Sequence, residues 1–200
     1  MSSLPLPDCD DVFARYFAPW YQGQEFEARR YVATRPDVEG WAEPNTPPDV
    51  ASRLNDKGRQ ETLRQIAGMV EAARGDWPVY LPVAGRPSLA WIEAFDDYWT
   101  ATRVQELLDR SDPTDFGNDL LVTACEFGAV LGHVMREAAP QLEWLPDWPY
   151  WESGLLDVPS GYRVNVFHWA IKRFSEYGLE DGYGAKVGKC IELVRDGWDA

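Results

Sequence analysis

Hydrophobic positions recur along this chain mostly at helical spacing. Val12, Phe13, Tyr16, Phe17 and Trp20 follow an acidic first turn and predict a helix over 10–22, bent or ended by Pro19. Residues 34–50 hold four prolines and two turn dipeptides, which predicts a loop pinned to the body by Trp41. After Pro47-Pro48, Val50, Leu54, Leu63, Ile66, Met69 and Val70 predict a helix capped by Gly75. Residues 77–83 (WPVYLPV) read as a short edge strand, because two prolines forbid a central one. From a Ser88 cap, Leu89, Ile92, Phe95, Trp99, Val104, Leu107 and Leu108 predict one helix, ended by Asp112-Pro113. A further helix spans about 115–139, with Leu120, Ala124, Phe127, Leu131, Val134 and Met135 on its apolar face. Gly128 and Gly132, four apart, leave a groove on it for a close neighbour.

Beyond Pro140 the period changes. Residues 142–145, 154–158 and 162–167 read as strands, the last alternating Tyr162, Val164 and Val166 with Arg163 and Asn165. Helices then follow over 168–177 and 182–195. The pattern predicts one α+β domain over 1–200, mostly helical with a small antiparallel sheet near the C-terminus. Its helical part is about 1–139, and the sheet with its helices occupies about 140–200.

Composition supports folding: 45% of residues are hydrophobic and 14% aromatic, far from a disordered profile. Ten tryptophans invite two readings, core filling or interface anchoring, and burial statistics favour the core for any single one. The formal net charge of −14 repels nucleic-acid backbones and anionic lipid, and attracts a basic protein. Solubility alone also accounts for an acidic surface. Residues 111–160 hold nine acids against one base, Arg136. Three distant cysteines, Cys9, Cys125 and Cys190, suggest neither a disulfide framework nor a zinc site. The opening MSSLPLPDCDD has no basic or apolar leader region, and no apolar run reaches the ~20 residues that span a bilayer. The expected location is cytoplasmic.

Candidate chemistry is sparse. His133 and Glu137 share a helix face, but two ligands do not make a metal site, so a surface ion pair is the better reading. Glu93, Asp96 and Asp97 suit a solvated acidic face better than paired catalytic carboxylates. No nucleophile elbow, phosphate loop, dinucleotide fingerprint or zinc-protease motif occurs, and Gly182-Tyr-Gly184 is taken as a turn. Arg163, Asn165, Lys172 and Arg173 form a basic island, read as an anion-binding spot or, preferably, as charges paired to acids of a facing helix. No catalytic residue, metal or cofactor is assigned.

From Phe116 to Val194 the layout resembles a set of small bacterial proteins, some of them similar to immunity proteins of secreted-toxin systems. The features that carry it are Gly128 to Gly132 on a long helix, a hairpin, and Gly161 to Phe167 (GYRVNVF) followed by Lys172-Arg173. Val166 stands where such proteins often carry a proline. The resemblance implies a structural module without a recognised active site, and it carries no catalytic residues over.

An acidic inhibitor that neutralises a basic toxin by protein–protein contact is the leading expectation. Its contact surface is placed on 142–157, with Trp144, Trp148, Tyr150 and Trp151 as anchors and Glu143, Asp147, Glu152 and Asp157 steering. The alternatives are an enzyme whose acidic cleft brings carboxylates to His133 or His168, and a scaffold whose tryptophans form a homodimer interface.

Overall fold

A computed structural model describes residues 6–21, 54–179 and 181–197. The predicted loop over 34–50, with Trp41, and the helix start after Pro47-Pro48 lie outside the described residues. Helix α1 (Cys9–Tyr16) begins where the Asp8 carboxylate accepts from the Asp11 N–H at 2.8 Å. A 3-10 turn, Ala18–Tyr21, follows around Pro19. Helix α2 (Asp56–Tyr80) is capped by Asn55, whose side chain accepts from Gly58 N.

Helix α2 overturns two expectations. It passes through Gly75 without stopping, and residues 77–80 form its last turn, not a strand. Proline harms a helix through the backbone bond it cannot make, and Pro78 loses only one such bond this close to the end. Burial of Trp77 accounts for the gain. Its ring packs 4.6 Å from Phe95 and 5.8 Å from Trp91.

The predicted single helix after Ser88 is two, α3 (Leu89–Tyr98) and α4 (Ala101–Arg110), broken at Trp99-Thr100. The break frees carbonyls at the end of α3, and Arg173 takes them. Its Nη2 donates to Asp96 O and Trp99 O, each at 2.8 Å, while Nε donates to the Asp96 carboxylate at 3.0 Å. Asp96 is therefore no part of a solvated acidic face. It ties α3 to the C-terminal segment.

Helix α5 (Asp119–Ala138), capped by Asn118, runs through the middle of the core. Its two glycines work as expected. A Cβ on Gly128 would lie 2.5 Å from Phe167 Cδ1, and one on Gly132 2.5 Å from Trp144 Cζ2, so only glycine admits those rings. Strands β1 (Leu142–Leu145), β2 (Gly154–Asp157) and β3 (Arg163–Val164) form an antiparallel sheet in the order β1-β2-β3. Leu142 faces Asp157 and Trp144 faces Leu155 in its register. The third strand is shorter than the alternation suggested, because Asn165 hands the chain to helix α6 (Val166–Lys172).

Helix α7 (Tyr183–Asp196) completes the chain. Gly182 brings no capping side chain, so Asp96 supplies one from α3, accepting from Gly184 N at 3.0 Å. At its other end Arg195 donates to Ala138 O, the exit of α5. One contiguous apolar cluster reaches from Leu6 to Val194 and holds Trp77, Trp91, Trp99, Trp151 and Trp169. The molecule is α+β, mostly helical, with its small sheet toward the C-terminus.

Candidate functional site

The segment 142–157 is less a surface than an internal brace. Strands β1 and β2 are joined by an ordered loop, in which Asp147 N donates to Ser153 Oγ and the Asp147 carboxylate accepts from Trp148 N. The chain then makes a 3-10 turn over Tyr150–Glu152. Trp151 is 0% exposed, with its ring edge-on to Phe17 at 5.4 Å. Tyr150 is buried as well. Asp147 and Glu152 are each 1% exposed and Asp157 3%. Five of the eight proposed contact residues therefore lie inside the molecule. Glu143 is exposed, and Trp144 and Trp148 are half-buried, so these three alone can meet a partner as the chain stands.

Buried acids need bonding partners. The Asp157 carboxylate accepts from the Ser160 hydroxyl and so closes the turn between β2 and β3. Glu152 sits at a polar centre that sequence reasoning missed. Its Oε1 accepts from the Tyr21 hydroxyl, its Oε2 lies 3.3 Å from His168 Nε2, and its backbone carbonyl accepts from Arg163. Tyr21 also accepts from Trp151 Nε1 at 3.1 Å. These groups come from three distant stretches of chain, and no local spacing joins them. The arrangement satisfies a carboxylate within the core.

The basic island also turns inward. Arg173 holds Asp96, Arg163 holds the Glu152 carbonyl, and the Lys172 ammonium stands over the Tyr177 ring at 3.6 Å. Burial pushes the Asp96 carboxyl above its usual range, against the opposing pull of the Gly184 N–H and Arg173. The Cys125 and Cys190 thiols are pushed up by burial too, so at neutral pH neither supplies a thiolate nucleophile. Among the described residues no bond joins His133 to Glu137, contrary to the ion-pair reading, and no cluster of metal-ligating side chains forms.

Glu143 and Trp144 line a groove of about 610 Å³ between α2, α5 and β1. Leu63, Ile66, Ala67 and Val70 line it from α2, His133 and Arg136 from α5, and Glu143 and Trp144 from β1. The two proposed contact residues that line it meet residues of α2 that carry no local functional signal. Only a 3.6-residue apolar stripe marked them, and that stripe reads as core.

The acidic character is uneven. Of the nine acids between 111 and 160, Asp112, Asp115, Asp119, Glu137 and Glu143 are exposed, and Arg110 neutralises Asp119 at 2.7 Å. Exposed negative charge therefore sits on the loop before α5, on the exit of α5 and on β1 at Glu143, and not on the loop between β1 and β2. Compared with family models, curated proteins and solved structures, the chain finds no match. Among the described residues no helix is long and apolar enough to cross a membrane.

Proposed function

We propose that the protein is a cytoplasmic binding protein of the immunity type, which neutralises a basic toxin by protein–protein contact. The observation that carries this reading is the division of its charged groups. Buried acids and bases are consumed in internal bonds, as with Asp96–Arg173 and Glu152–His168. Among the described residues Asp112, Asp115, Glu137 and Glu143 stay exposed, in a chain whose formal net charge is −14. A field of that sign speeds encounter with a cationic protein and rejects nucleic acid.

The reading is tested by a screen for toxic frames. Fragments of the native genome are expressed alone and beside this chain in a host that lacks both. The expected result is a frame encoding a basic protein that arrests growth alone and is tolerated in the chain's presence. If no frame is rescued across a library that contains toxic inserts, the inhibitor reading fails.

One observation favours an enzyme: His168 and Glu152 converge with Tyr21. Against it, Glu152 is 1% exposed and both its carboxylate oxygens are occupied, so no substrate atom reaches it in this arrangement. Turnover on a hydrolase substrate panel that His168→Gln abolishes would reverse that judgement.

A further inference from the structure

Strand β1 has β2 on one side only, and among the described residues its other edge faces the groove. The backbone bonds fix which groups point there. Leu142 donates to Ala139 O and accepts from Arg136 Nε, while Asp157 N donates to Tyr162 O. Leu142 and Asp157, though opposite, are thus a pair that exchanges no ladder bonds. Antiparallel ladders alternate, so Trp144 and Leu155, two residues further along, are also such a pair. The N–H and C=O of Trp144 therefore point away from β2, into the groove. Both Leu142 groups are already taken, and Trp144 is left as the open position on this edge.

We propose that this groove takes an extended, basic segment of the partner, which adds to β1 as a fourth strand. The inference rests on the binding reading above and assigns its surface. Only another extended backbone offers an acceptor and a donor at the spacing that both Trp144 groups need. Alternate side chains of the incoming strand would divide between the exposed apolar positions Leu63 and Ala67 of α2 and the solvent side, where Glu143 stands exposed. Charge selects the occupant. At the rim Glu71 is paired with Arg74 at 2.8 Å and Arg136 donates to Leu142 O, so the preference for a cationic segment comes from the exposed Glu143 and from the net charge of −14. A second copy of this chain would bring another −14, and Glu143 near its own counterpart, so edge-to-edge self-pairing is disfavoured.

A phage-displayed library of random linear peptides, panned on the full chain, supplies the probe. Enriched peptides are then made synthetically and titrated against isotope-labelled protein while the Trp144 amide exchange is followed by NMR. Enriched sequences should alternate apolar residues with Lys or Arg and slow Trp144 exchange. Glu143→Lys should weaken them about tenfold, with its melting temperature unchanged. Enrichment of nothing, or peptides that protect other amides and leave Trp144 exchanging freely, overturns the groove. In the second case the binding reading survives. Protection of Trp144 without peptide, together with a doubled mass by light scattering, would make the occupant a second copy and overturn the foreign partner. Peptides that protect Trp144 while no toxic frame is rescued would keep the groove and remove the inhibitor role.

Discussion

Trp148 is half-buried, whereas Trp151 in the same loop packs against Phe17 and donates to Tyr21. Sequence gives both the same flanking prolines, acids and aromatics, so neither composition nor spacing separates them. The partner rings do, and those come from α1 and the turn after it. Trp151→Ala should cost about 3–5 kcal/mol of stability, and Trp148→Ala about 1 kcal/mol, checked by chemical denaturation. Glu126 shows a second residue effect that its neighbours in sequence conceal. Burial beside Trp77 pushes its carboxyl up to about 7. A carboxyl raised on folding favours the native state below its ordinary pKa, and that advantage is lost as pH rises from about 4.5 through about 7. Glu126→Gln should therefore stabilise the protein above pH 7, by about 1 kcal/mol after discounting for partial exposure, and leave it unchanged below the ordinary carboxylate range. Thermal melts across that range would show it.

Elements were legible where one face is apolar and the ends carry caps. Asn118 and the periodic face of α5 announce that helix, and Gly128 with Gly132 announces close packing against it. Gly132→Ala should destabilise by about 1–3 kcal/mol, because its Cβ meets the Trp144 ring. Gly68→Ala, within α2 and facing open space, should stabilise by about 0.5–1 kcal/mol. Opposite signs in paired melts would separate packing from helix propensity. Elements were illegible where a distant partner decides. The break between α3 and α4 depends on Arg173, which satisfies two carbonyls there and lies far along the chain. Helix α2 continues through Pro78 because the interior takes up Trp77. Removing one partner of the Arg173–Asp96 pair, as in Arg173→Leu, should cost about 3–5 kcal/mol by leaving a shielded carboxylate uncompensated.

At the scale of the whole molecule, the change of period along the chain predicts the α+β class that the fold has, whereas the net charge of −14 sets an expectation of a basic partner. Of the residues proposed for contact, Glu143 and Trp144 line the groove, but Asp147, Glu152 and Asp157 are held within the molecule by Ser153, His168 and Ser160. A local sequence cannot distinguish an acid that steers from one that braces a loop, since the difference lies in which hydrogen-bond donors the fold delivers. We propose that an acidic surface captures a basic protein. It is tested most directly by immobilising the full chain, passing native lysate over it at low salt, and washing with rising salt, with Glu143→Lys alongside. One basic protein should bind at equal stoichiometry, be released as salt rises, and be retained less by Glu143→Lys. Capture of nothing at low salt, or of an acidic protein that salt does not release, would contradict it.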